Sequence, residues 1–426
     1  MCAFSPTTVV DSNCRFCGKP NLLPILDLGL QPLSGVFPKL EFSTLETFPL
    51  VLSMCEACAL VQLLNTAPLK SMYGEDYGYR SGLNPSMIKH LGDVADFILG
   101  NIKLEKKTTI LDIGSNDGTF LNNFFDSTIF NRIGIDPSAG QFSHFYTNEI
   151  KLIVDFFSKE IYLEQIDVKP NIVTSIAMFY DLERPFQFAR DIHDLLEEEG
   201  YWYLEVCYGP WIGETGSFDT ICHEHLEYYS AENINNILKS TGFKVVKTLM
   251  SSTNGVSVGV LAQKVVSNEI VENNSDPLFD WLLSSELSNK TNSKEKWLLA
   301  AKRIQEKRQE LLDLLFELKA LGNKIYGMGA STKGNVLLNY LGLNSHYLTA
   351  IGEINESKFE RVTPGSLIPI ISEEAVFQSN PDYLVFLPWH FRDFAIEKYS
   401  KYLNNGGKII FPLPNLEIFE VPKVVE

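Results

Sequence analysis

The chain has no run of about 18 apolar residues, the length a membrane span requires, although 45% of its 426 residues are hydrophobic. Nor has it a polybasic tract: 36 Lys and Arg against 53 Asp and Glu leave a formal charge of -17. Counterion release from a nucleic acid therefore has little to act on. Met1-Cys2-Ala3-Phe4-Ser5-Pro6 shows neither the basic flank nor the apolar core of a secretion signal. The expectation is a cytoplasmic protein without structural disulfides. Internal repeats of about 20 to 50 residues and low-complexity tracts are also missing. What remains is a globular chain, long enough for two or three domains at about 150 residues each, whose partner is a small molecule or another protein.

Its cysteines are unevenly placed. Four of the seven form two C-x-x-C pairs, Cys14-Arg15-Phe16-Cys17 and Cys55-Glu56-Ala57-Cys58. Each pair puts two thiolates on one tight turn, and two such turns complete a tetrahedral S₄ zinc site with no open coordination position. The metal is thus expected to hold a small N-terminal module together, with room for a subdomain in the 37 residues between the pairs. Substituting Cys14 is expected to lower folded yield and zinc content without touching chemistry directly.

From about residue 107 short apolar runs alternate with helical stretches. Strands are expected at 109–113, 132–135, 171–176 and 201–206, the signature of a parallel sheet. Residues 293–321 carry Trp297, Leu298, Ile304, Leu311, Leu315 and Leu318 among many charges, without Pro or Gly, and read as an amphipathic connecting helix. A second alternation follows, with strands near 324–327, 347–351, 383–387 and 408–411. The expected organisation is a zinc module over 1–75, an α/β domain over 76–290 and a second, Rossmann-like α/β domain over 291–426.

Thr109 to Phe120 read as strand, glycine turn and helix start. Gly114 and Gly118 let a ligand approach the backbone, and the helix N-terminus is expected directly after. The three-glycine dinucleotide fingerprint is absent. Asp136-Pro137 ends the next strand, where a carboxylate can accept both hydroxyls of a ribose. With Asp112, Asn116 and Asp117, this order resembles the S-adenosylmethionine (SAM) site of a class I methyltransferase. Farther on, Phe218 to Tyr229 holds His223-Glu224-His225, the densest group of proton-handling side chains. A histidine suits proton removal near neutral pH, and a neighbouring glutamate can orient it; the spacing is wrong for the helical H-E-x-x-H zinc motif. Upstream, Tyr77 and Tyr79 can supply phenols to an acceptor site.

In five ordered blocks the chain resembles the sugar C-methyltransferases of deoxysugar biosynthesis. These are the paired cysteines with Leu28-Gly29-Leu30-Gln31-Pro32-Leu33 between them, Leu111 to Gly118, Met178 to Leu182, Cys222 to Tyr229, and a C-terminal pair, Gly327 to Asn335 with Leu387 to Arg392. The resemblance implies methyl transfer from SAM to C3 of a nucleotide-linked 4-keto-6-deoxysugar, most often thymidine-diphosphate linked, through an enolate. It implies His225 as base or relay, Glu224 as its partner, His223 beside them, and Tyr77 or Tyr79 as an active-site phenol. Family members often carry Tyr where this chain has Cys222. The C-terminal domain is implied to clasp the nucleotide end with Gly329, Lys333, Asn335, Glu353, Trp389, His390 and Arg392, and with Asn254. Dinucleotide binding is the competing view of that domain. For the whole protein the competing readings are a SAM-dependent O- or N-methyltransferase and a non-catalytic zinc-bearing binding module. A large acceptor held between two domains makes a monomer feasible.

Overall fold

The computed structural model describes residues 9–10, 13–42, 45–68, 72, 79–103, 107–253, 255–265 and 276–422. At the N-terminus β1 (Val9–Val10) pairs with β5 (Asn65–Thr66), and β2 (Leu22–Pro32), β3 (Thr47–Cys55) and β4 (Val61–Leu63) form an antiparallel meander. Asp27 accepts the Gly29 amide at 2.8 Å, and Gly29 takes φ +82, so the β2–β3 register slips there as a bulge.

The central domain follows. Helix α1 (Pro85–Asn101) starts at a proline capped by Asn84 and buries Met87, Leu91, Val94, Ala95 and Ile98. Parallel strands β6 (Thr108–Ile113), β7 (Phe130–Ile135), β8 (Ile150–Ile153), β9 (Ile172–Ile176) and β10 (Tyr201–Cys207) lie beside it. All of β6 is buried, as befits a strand covered on both faces. The short strand β11 (Glu227–Tyr228) leaves this domain to pair with β4, becoming the fourth strand of the N-terminal sheet. Strands β12 (Phe243–Ser251) and β13 (Ser257–Lys264) complete a seven-stranded sheet in the order β12-β13-β10-β9-β6-β7-β8, with β13 antiparallel. The strand order reverses between β6 and β9, which opens a crevice at their carboxyl ends.

One expectation changes here: no α-helix begins after the glycine turn. Residues 114–120 are turns, followed by a single 3₁₀ turn at Leu121–Asn123. Asp117 Oδ1 captures the Thr119 amide and hydroxyl, and the Asn123 amide group donates to the Thr119 and Phe120 carbonyls, so side chains take the bonds an α-helix would use.

Helices α2 (Ala231–Ser240) and α3 (Pro277–Asn289) pack on the sheet, and α4 (Lys294–Ala320) leads onward. Helix α4 buries five of the six apolar side chains expected to face the core, while Leu298 is exposed. The C-terminal sheet runs β16-β15-β14-β17-β18-β19, built from β14 (Ile325–Met328), β15 (Ile351–Glu353), β16 (Ile370–Ser372), β17 (Tyr383–Phe386), β18 (Lys408–Phe411) and antiparallel β19 (Glu417–Phe419). Its second strand starts four residues later than the apolar run suggested, because the amides of His346, Tyr347 and Leu348 fold back onto Asn344 as a turn. Helix α5 (Thr332–Leu341) follows β14. This sheet also reverses, between β14 and β17.

Candidate active site

The carboxyl ends of the two doubly wound sheets meet at one cavity of about 450 Å³. Loops after β6, β7, β9 and β10 form one wall, the segment 220–225 another, and the loops after β14 and β17 the third, so both switch points contribute.

At the β6 end, Gly114 and Gly118 adopt φ +78 and +76. A Cβ at Gly114 would lie 3.0 Å from Met178, and one at Gly118 3.1 Å from the Tyr146 ring, so both positions need glycine for conformation and for space. Asn116 is also left-handed at φ +48. Its amide donates to Asp136 Oδ2 at 2.9 Å, while the Ser138 amide and hydroxyl take Oδ1 at 2.6 Å each. Asp136 and Pro137 line the cavity, and a carboxylate with about four acceptor positions retains one for a ribose hydroxyl. Asp112 is buried in the wall and accepts Thr174 Oγ1 at 2.6 Å; burial pushes its carboxyl up to about 7. A ligand bringing its own cation would restore its charge, and SAM carries both a sulfonium and an ammonium.

Asp117 serves a different purpose. Its Oδ2 accepts Arg80 Nε at 3.1 Å and the Gly82 amide at 3.0 Å, while Asn116 Oδ1 accepts the Ser81 amide and Asn116 Nδ2 donates to the Tyr79 carbonyl. Together they fasten the segment 79–82 over the β6 end of the cavity. Asp117 and Gly118 do not reach the cavity surface, whereas Tyr79 does. The Tyr79 ring is walled by protein yet 45% exposed, since it faces the open cavity. Tyr77 and Asn254 lie outside the described residues.

The segment 220–229 splits its three acid–base residues between two faces. His225 faces the cavity with Nδ1 2.8 Å from the Thr220 carbonyl, beneath the edge of Tyr180. A carbonyl only accepts, so Nδ1 carries the proton and Nε2 keeps its lone pair. Burial, then the Lys333 charge, pushes this ring down to about 3, leaving it neutral at physiological pH. Glu224 also lines the cavity but its carboxyl turns to Ser34, whose hydroxyl donates at 3.2 Å. Its expected role as the partner of His225 is thus corrected: the Thr220 carbonyl is what orients that ring. Burial raises the Glu224 carboxyl above the usual range. His223 faces the N-terminal module, 3.3 Å from the Phe48 carbonyl, and does not reach the cavity.

From the C-terminal domain, Lys333 and His390 line the cavity. Others expected there have structural places. Gly329 is packed against Pro388; Glu353 accepts the Ala330, Ile354 and Asn355 amides; Trp389 Nε1 donates to the buried Asp219 at 2.7 Å and stacks on His390. Asn335 donates to the Ser34 carbonyl at 2.8 Å. Arg392 is bidentate to Glu417 at the surface and does not line the cavity. Thr220, Thr174 and Ser34, all engaged with site residues, carried no motif by which the sequence could single them out.

The four thiols of Cys14, Cys17, Cys55 and Cys58 lie within 4.8 Å of one another, with the Cys14–Cys58 and Cys17–Cys55 sulfurs each 3.6 Å apart. Ligands about 2.3 Å from a tetrahedral zinc stand roughly 3.8 Å from each other, so the cluster fits the ion. The residue after each pair, Gly18 and Ala59, takes φ +70 and +58, closing both knuckles alike.

Three family profiles match in order: a zinc binding domain of methyltransferases over residues 14–73, a methyltransferase domain over 86–248, and the C-methyltransferase C-terminal domain over 252–414. C-methyltransferase NovU of Streptomyces niveus is 27% identical over 410 residues, 94% of this chain and 95% of its own. Among solved structures, the 1,6-didemethyltoxoflavin-N1-methyltransferase of Burkholderia thailandensis aligns over 42% of this chain and 78% of its own, at 12% identity and a TM-score of 0.32. A SAM-dependent methyltransferase of Methanosarcina mazei aligns over 40% and 98%, with 12% identity and the same score.

Proposed function

Because the chain belongs to the SAM-dependent C-methyltransferases, with SAM and a structural zinc as its cofactors, we propose that its acceptor is a nucleoside-diphosphate 4-keto-6-deoxysugar, methylated at C3. The supporting observation is one cavity joining a carboxylate-lined cofactor end, a neutral histidine with a free Nε2 and, on the far wall, Lys333 and His390. That order suits an acceptor with a reactive ring beside His225 and an anionic diphosphate beside Lys333.

A carbon acceptor needs activation, and a ketone at C4 acidifies the C3 proton. His225 Nε2 removes that proton, and the electron pair delocalises onto the C4 oxygen. The Glu224 carboxyl, which burial raises above its usual range, donates to this developing oxyanion when it carries a proton. SAM, when bound, supplies an electrophilic sulfonium methyl. C3 forms the new carbon–carbon bond as the methyl–sulfur bond breaks with its pair leaving on sulfur. A diphosphate neutralising Lys333 removes one of the two influences that hold His225 down, and so raises its basicity when substrate is present.

The test is incubation with SAM and a thymidine-diphosphate 4-keto-2,6-dideoxyhexose, with mass spectrometry for one added CH₂ unit and NMR for its position. A methyl on C3 supports the reading. A methyl on oxygen or nitrogen, or at another carbon, overturns it.

A further inference from the structure

We propose that Ser34, carried by the zinc module, is a positioning residue for methyl transfer, holding the Glu224 carboxyl at the cavity wall. The inference rests on the reading of Glu224 given above.

Ser34 occupies the turn after β2, and its hydroxyl and the Glu224 carboxyl are 1% and 7% exposed by residue. The hydroxyl donates to Oε2 at 3.2 Å, and the carboxyl also accepts from the Gly35 backbone. The turn is pressed closely on that carboxyl, since a Cβ on Gly35 would stand 3.2 Å from Oε1.

The opposite side of the turn is fixed to the C-terminal domain. Asn335 Nδ2 donates to the Ser34 carbonyl at 2.8 Å, the Val362 amide to the Pro38 carbonyl at 2.9 Å, and Arg361 to the Phe37 carbonyl at 2.7 Å. Lys358 lies over the Phe37 ring. Asn335 belongs to α5, whose first turn brings Thr332 and Lys333 into the cavity. One short turn of the zinc module therefore touches both sides of the acceptor space, with Glu224 on one side and the helix bearing Lys333 on the other. A hydroxyl that only satisfied a buried acceptor would not need such anchoring, whereas a group that sets the direction of the carboxyl does.

The test measures kcat, acceptor KM, SAM dissociation constant and zinc content for Ser34→Ala, Ser34→Thr, Glu224→Ala and the Ser34→Ala/Glu224→Ala double variant. Ser34→Ala is expected to lower kcat about tenfold, the worth of one oriented hydrogen bond, with SAM binding and zinc unchanged. Ser34→Thr, which keeps the hydroxyl, is expected to restore kcat to within about threefold. The double variant is expected to be no slower than Glu224→Ala alone, because both changes act through one carboxyl. A wild-type kcat in Ser34→Ala beside an impaired Glu224→Ala overturns the inference alone, as do additive losses in the double variant. A fully active Glu224→Ala, which has no donor to offer the oxyanion, overturns the reading of Glu224 and the inference with it. If the alanine variant fails to retain zinc, Ser34→Cys carries the test: it keeps the volume with a weaker donor, is expected to lose kcat, and overturns the inference if it does not.

Discussion

Two cavity residues owe their protonation states to burial, in opposite senses. His225 is neutral because an imidazolium would be desolvated and would face Lys333. His225→Asn keeps a polar group of similar size but has no basic nitrogen; turnover is expected to fall by about two to four orders of magnitude while the SAM dissociation constant changes little, which single-turnover kinetics and calorimetry would show. Asp112 is held near 7 by burial, so free protein carries a proton there that a cationic ligand displaces. SAM affinity is therefore expected to rise about tenfold between about pH 6 and about pH 8, with proton release, and to lose that rise in Asp112→Asn. The stability signs differ too. Folded His225 lies below its unfolded value near 6.5, so the unfolded chain binds the extra proton and stability falls as pH drops from about 6.5 toward 3. Folded Asp112 lies above its unfolded value near 3.9, so its contribution is present at low pH and is lost as pH rises through about 7.

At the scale of elements, the zinc knuckles and the segment bearing His225 are one structure. β11 pairs with β4, Leu63 donates to the Leu226 carbonyl at 2.9 Å, Arg15 of the first knuckle lies 3.8 Å from the buried Glu227, and Asn233 donates to the Cys58 carbonyl. Four thiols gathered without a cation repel one another as they ionise, so removing zinc loosens the strands that carry them. Cys14→Ser, or exhaustive chelation of the wild type, is thus expected to lower turnover along with stability, beyond the loss of folded yield that the cysteine spacing alone implied. Metal content, the unfolding midpoint and kcat measured on the folded fraction check this. If that fraction retained wild-type kcat, the module would be a stabiliser alone.

At the scale of the whole molecule, the cavity exists because two doubly wound sheets present their switch points to each other. Trp389 of the C-terminal domain donates to Asp219 of the central one, and the Ser34 turn lies between Glu224 and Asn335. On the proposed reading the cofactor end and the diphosphate end of the acceptor therefore come from different domains, and their effects separate. Lys333→Ala is expected to raise acceptor KM by about ten- to a hundredfold, as loss of a charge-assisted contact does, while the SAM dissociation constant stays within about twofold of wild type. Equal losses at both ends would place Lys333 in domain packing.

Sequence by itself determined the features that depend on local pattern. Spaced thiols define a knuckle wherever the chain goes, buried parallel strands read as apolar runs, and a glycine turn and a strand-end acid, one at the end of each of two successive strands, mark the proposed cofactor end because each is a short local pattern. Tertiary structure alone decided which polar groups meet across the chain. It gave His225 the Thr220 carbonyl in place of Glu224, turned Asp117 toward Arg80 and Gly82, set Arg392 on Glu417 at the surface, and brought Ser34 to Glu224. The reason is physical: a hydrogen bond depends on an atom's position to within a fraction of an ångström, and for Ser34 and Glu224, 190 positions apart in the chain, that position is fixed only when the segment between them has folded.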